Sequence, residues 1–340
     1  MGRLAAAFCS PSSQEARLTK DDELERYLTD QMEAVATMQT TTVEEPSVPN
    51  DDAVQTAARP AELTSDEAFD IRPFAGGISA ILAGGANVIM QLSWPAIGYG
   101  VAESKVWSGR ADLHPLKRAR TTFTYLAVAL LGDEEDQKAY RKAVNRSHAK
   151  VRSNAASPVS YNALNPELQL WVAACLYYGN VDTYQRMHGP LDEKTADALY
   201  AYAARFGTTL QVRPDMWPKD RKAFAEYWQK SLANVNIDEP MREFLLGKGP
   251  MKMKQPKKPK QPPTKEQVQE KTFMLRGFLP PEFREQMQFT WSDQEEERFN
   301  KRLRKYGRIE DLLPSPIRMF PFNVLLWDMR RRRRKGIPLV

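Results

Sequence analysis

Residues 133–152, Asp133-Glu134-Glu135-Asp136-Gln137-Lys138-Ala139-Tyr140-Arg141-Lys142-Ala143-Val144-Asn145-Arg146-Ser147-His148-Ala149-Lys150-Val151-Arg152, carry the pattern that decides the fold. Carboxylates directly after Gly132 lie on the first turn of a predicted helix, where unsatisfied N–H groups and the helix dipole favour negative charge, and Lys150 and Arg152 fall on its predicted last turn. Tyr140 and Val144 precede His148 by eight and four residues and Val151 follows it by three, which places the imidazole on the apolar stripe. Of the three histidines in the chain, only this one sits in an evident helical pattern. A buried neutral imidazole requires a partner, which the pattern leaves open as a carbonyl, a carboxylate, a water or a metal.

The run before it opens with Pro115 at a first-turn position and continues from Leu116 through Leu131 to the stop at Gly132. At helical spacing Arg118, Thr122, Tyr125 and Ala129 share one face, with Phe123, Leu126 and Leu130 on the next. A guanidinium, a hydroxyl and a phenol in one row can hold an anionic, partly buried ligand. The plainer alternative is an arginine at the wet end of a core helix, with the Thr and Tyr hydroxyls bonded locally.

Several further segments occur in a telling order. They are Leu82 to Val101, Pro115-Leu116-Lys117-Arg118 with Thr122, Val144 with His148 and Val151-Arg152, and Tyr161 with Ala163, Asn165-Pro166-Glu167-Leu168 and Leu170-Trp171-Val172. Gly189-Pro190-Leu191, Leu279-Pro280-Pro281 with Arg284, and Asp328-Met329-Arg330-Arg331 complete the series. Together they resemble the catalytic-domain family of latex-clearing proteins (rubber oxygenases) and endoplasmic-reticulum-bound oxygenases, over roughly residues 70 to 335. The resemblance implies an all-α protein with one large multi-helix domain around a buried haem b pocket. His148 would be the proximal ligand of the haem iron, and Arg118 and Thr122 would belong to the same pocket. Arg120 and Tyr125 are further candidates at its rim, and Glu103 is a candidate pocket base. The implied chemistry is attack by O2 on a carbon–carbon double bond of a lipophilic, isoprenoid-like substrate. An axial imidazole sets the electronics of the iron, guanidinium groups pair with propionates, and an apolar remainder accepts hydrocarbon. Two positions depart from the family: Thr121 stands where rubber oxygenases can carry a lysine, and Ala173 where many relatives carry a histidine. They motivate a rival reading, a helical lipid- or protein-binding module that has lost the haem.

Composition bounds these readings. The chain has 340 residues and two cysteines, Cys9 and Cys175, too few for a disulfide framework, and it has no Cys-x-x-Cys or His-Glu-x-x-His zinc pattern. Its net charge of +6 divides unevenly: residues 1–70 hold five Lys or Arg against fifteen Asp or Glu, leaving a basic body. Nucleic acid ranks last among anionic partners, because no zinc finger, RNP motif or comparable module is present. The expected division is an acidic, largely disordered leader over 1–65 with one helix at 21–38 and a linker at 39–63, a helical domain over 66–335, and a tail over 336–340.

From Phe74 to Ala102 the chain is uncharged, yet its glycines, Asn87, Gln91 and Trp94-Pro95 argue for two buried helices meeting at a bend rather than a membrane span. The N-terminus has no convincing secretory signal, and the expected location is intracellular, cytoplasmic or peripherally membrane-associated. Trp171 reads as core, and His188 before Gly189-Pro190 reads as a helix cap. Residues 248–265, rich in Lys and Pro, read as a mobile loop, and Arg330 to Lys335 as an exposed cationic helix end. Both are candidate contacts with an anionic membrane surface.

Overall fold

The uncharged run bends where its proline demands. In a computed structural model that describes residues 69–104, 106, 115–248 and 264–340, α1 (Gly77–Leu92) and α2 (Pro95–Ala102) meet at 110°. Pro95 lacks the N–H that an unbroken helix would need there. No single described helix is long and apolar enough to cross a membrane, although this bent pair passes a test of length and composition. The expected leader helix, the linker, His114 and most of the Lys/Pro stretch lie outside the described residues.

The next two helices form an antiparallel hairpin. α3 (Pro115–Leu131) stops at Gly132, and Asp133 then caps α4 (Glu134–His148) through a capping box in which its side chain accepts from the Asp136 N–H at 2.8 Å. The helix stops at His148, so Lys150 and Arg152 lie beyond it rather than on its last turn. Arg152 instead forms an isolated bridge with Asn162, and no strand occurs among the described residues.

Asn165 caps α5 (Pro166–His188), with Pro166 in the first turn where an N–H is dispensable. Asp192, Asp220 and Asp238 cap α6 (Glu193–Ala203), α7 (Arg221–Leu232) and α8 (Glu239–Leu245), each accepting from a backbone N–H three residues on. Thr264 and Ser292 make capping boxes for α9 (Lys265–Phe278) and α11 (Asp293–Asp311), with α10 (Pro281–Gln286) between them. The last helix is α12 (Phe322–Arg334).

α5 is the central strut, packed against α1 on one side and α11 on the other. Trp171 is fully buried in it, stacked 4.9 Å from Trp94 and 5.1 Å from Trp228 between ring centroids, and its indole N–H donates to the Met90 carbonyl. The stack ties the α1–α2 bend, α5 and α7 into one core, as expected of large apolar rings. Close helix crossings need missing side chains: a Cβ on Gly307 of α11 would strike the Met187 carbonyl of α5, and one on Gly277 of α9 would strike the Phe299 ring.

α12 lies along α3, and the cationic run at its end is a docking element rather than a free helix terminus. Arg330 and Arg333 pair with the fully buried Asp136, and Arg332, itself 7% exposed, pairs with Asp328 at 2.8 Å. Acids on α12 and at the start of α4 thus neutralise Arg330 to Arg333, which composition alone reads as solvated, while Arg334 and Lys335 are exposed as expected.

Candidate functional site

The hairpin of α3 and α4 brings His148 and Arg118 together. Tyr140 lies fully buried in α4 and donates to the Thr121 carbonyl of α3 at 2.8 Å, which fixes the register of the two helices. Two turns further along α4 is His148, and one turn back along α3 is Arg118, whose charge acts on the imidazole. The buried Nδ1 of His148 has no hydrogen-bond partner. Burial, and then the Arg118 charge, push the ring's pKa down from 6.5 to about 4, so the imidazole is neutral at physiological pH. Burial likewise lowers the pKa of Arg118, a residue that reaches solvent in part while its guanidinium is desolvated.

The α4 end is braced from a third direction. The Asn145 side-chain carbonyl accepts from Gln211, Gln211 and Gln169 exchange two further hydrogen bonds, and Gln169 also donates to the Ala163 carbonyl. Arg141 donates to the carbonyls of Thr208 and Thr209 at the end of a short helical turn, Arg205–Thr208. This amide chain, three residues before His148, gave no signal in the sequence, because its members are separated by 24 and more positions and match no motif.

The other predicted residues are distributed around this pair. Thr122 is exposed and its hydroxyl donates back to the Arg118 carbonyl at 3.1 Å, the local bonding of the plainer alternative. Tyr125 donates to the Phe206 carbonyl, and burial raises its pKa. Arg120 faces α12, where it pairs with Asp328 at 3.3 Å. Glu103, at the end of α2, accepts hydrogen bonds from Ser157 and Tyr161, each 2.7 Å from Oε2. Both hydroxyls belong to the loop that leaves His148, so the carboxylate and the imidazole are joined by one short stretch of chain. Gly100 permits this arrangement, since a Cβ there would sit 3.3 Å from the Tyr161 ring. Tyr161 had been picked out by its place in the motif series, whereas no local signal could have identified Ser157.

His188 corrects the capping expectation. Its Nδ1 is 3.2 Å from Asp311 and its Nε2 3.7 Å from Glu310, at the end of α11, with Tyr184 against the ring. Burial alone would lower its pKa, but the two carboxylates prevail and hold it above 6.5.

The two histidines therefore bend the pH profile in opposite senses. Above pH 6.5 residue 148 is neutral in both states. Between 6.5 and about 4 only the unfolded chain takes up the proton, so acidification through this range costs roughly 3 kcal/mol. His188 contributes stability that is fully present below 6.5 and is lost as pH rises through its higher folded-state value. Denaturant melts across this range are expected to show a flattened acid limb in His148→Leu and a flattened neutral-to-alkaline limb in His188→Gln. An unchanged acid limb in His148→Leu would contradict a buried neutral ring.

Among the described residues no three His, Cys, Asp or Glu side chains are grouped to hold a bare metal ion. What the hairpin offers is a single neutral imidazole and a desolvated guanidinium within an all-α frame. The family described as ER-bound oxygenase mpaB/B'/Rubber oxygenase, catalytic domain, matches residues 72–309, and the chain belongs to it. The chain is 49% identical over 256 residues to the uncharacterized proteins Mb2261 of Mycobacterium bovis and Rv2237 of Mycobacterium tuberculosis, covering 75% of this chain and 98% of each relative. No solved structure matches it.

Proposed function

We propose that the protein is a b-type haem-dependent oxygenase that uses O2 on a lipophilic, isoprenoid-like substrate, cleaving a carbon–carbon double bond. The observation that carries this reading is the neutral, partly exposed His148, whose ring Nδ1 is buried and unpartnered and feels the Arg118 charge, in a chain of an oxygenase family. A neutral imidazole is the form that ligates iron, and a desolvated guanidinium suits a propionate, so the residues present fit haem. Bound haem would supply the activation of dioxygen.

The protein's own contribution is positional. His148 would hold the iron from the end of α4, braced by the Asn145–Gln211–Gln169 chain, and Arg118 would meet a propionate. Glu103, held by Ser157 and Tyr161 with one oxygen already accepting two hydrogen bonds, would keep its other oxygen for a proton of the substrate. Substrate affinity would rest on apolar area, each buried methylene contributing roughly 0.8 kcal/mol before ordering costs.

The test is stoichiometry. Protein expressed with haem supplied is expected to carry about one iron per chain and a Soret band, with oxygen consumed when an isoprenoid is added. Iron-free, Soret-silent protein would overturn the proposal and leave the non-catalytic binding module suggested by Thr121 and Ala173.

A further inference from the structure

We infer that the solvent face of the α11 C-terminal half, with the turn that follows it, is a docking surface for an anionic lipid bilayer. From Arg298 to Ile309 the sequence contains no acidic residue and six cations. At 100° per residue Lys301, Lys305 and Arg308 fall on one stripe of the helix, with Arg304 at its edge, while Phe299, Leu303, Gly307 and Glu310 occupy the opposite, buried side. All four cations on the outer face are exposed, and none makes an ion pair with a described residue. This sets them apart from the terminal run, where Arg330, Arg331, Arg332 and Arg333 are engaged by Asp133, Glu135, Asp136 and Asp328.

The cationic stripe continues directly into an apolar tip. Leu312 follows Arg308 by four residues on the same stripe and is 84% exposed, the most exposed of the large hydrophobic residues described. Ile309 at 47% and Ile317 at 53% lie beside it in sequence, so three such side chains project within nine residues. Asp311, the exposed acid that follows the stripe, is turned to His188, Glu310 is buried, and the exposed Glu297 lies one turn before Lys301, outside this half of the helix. A row of unpaired cations ending in exposed leucine and isoleucine is complementary to one surface in particular, in which phosphate and carboxylate headgroups overlie hydrocarbon.

The inference stands independently of haem, and its readout requires none. The full chain is sedimented with phosphatidylcholine vesicles, with and without phosphatidylserine, at low and high salt. Binding is expected to the anionic vesicles alone and to weaken with salt. Lys301→Glu with Lys305→Glu is expected to lower the partition coefficient about tenfold or more, and Leu312→Asp with Ile317→Asp to lower it comparably without changing the thermal melt. These side chains are exposed, so both variants retain the core. Equal binding by parent and variants, or equal binding to neutral vesicles, overturns the assignment. So does a concentration-dependent dimer abolished by Leu312→Asp, which would give the face to a second copy of the chain.

Discussion

His148→Ala is expected to abolish the Soret band of haem-reconstituted protein and to lower haem retention by about a hundredfold or more, with helical circular dichroism unchanged. The ring sits at the last position of α4, after the Tyr140 and Arg141 anchors, so its removal takes away no hydrogen bond that holds the helix in place. Its Nδ1 is unpartnered, and deletion of the ring therefore strands no donor or acceptor elsewhere. Because the imidazole is already neutral, no proton need be displaced before it ligates, and the variant's defect should persist across neutral pH. Added imidazole, small enough for the space vacated, is expected to restore part of the band. Arg118→Gln should keep a band but release haem faster, as expected for loss of a propionate partner rather than an iron ligand. A Soret band of parental height in His148→Ala would remove this residue from the iron.

Asp328→Ala should be the most destabilising substitution outside the aromatic core, by about 3–5 kcal/mol. Its carboxylate is 3% exposed and is shared by Arg120 of α3 and Arg331 and Arg332 of α12. Removing it leaves cations in a desolvated seam between the two helices, and the cost is that of uncompensated buried charge rather than of a lost surface pair. The melting temperature is expected to fall by roughly 10 °C, and partial recovery in Asp328→Ala combined with Arg332→Met would show that stranded charge is the cause. A fall of less than about 2 °C would mean that water reaches the seam. α3 carries Arg118 as well as Arg120, so loosened α12 docking should also weaken haem retention.

The helical frame was legible because its signals are local. The Asp133–Asp136 cap, the Asn165-Pro166 start, the Pro95 bend and the apolar register of Tyr140, Val144 and His148 each depend on residues within a turn or two of one another. The family was legible as well, from the order of short segments rather than from any one of them. Misreadings arose where charge was judged by composition. The arginines after Trp327 read as a solvated end, and His188 as a cap, because the acids that engage them lie far away in sequence or on another helix. The partner of the Tyr125 phenol, the carbonyl of Phe206, is likewise distant in sequence and was not legible in it.

By itself, then, the sequence determined that this is an all-α oxygenase-family chain with an inward-facing imidazole at the end of a capped helix. Backbone hydrogen bonding and side-chain periodicity are fixed by neighbours a few residues apart, and so they can be read without a fold. Only the tertiary structure decided which cations are neutralised and which stay free, which hydroxyls hold Glu103, and which amides brace His148. A charge or hydroxyl can be satisfied by any complementary group, and it acquires a particular partner only when helix packing brings one within about 3 Å and excludes water from the rest.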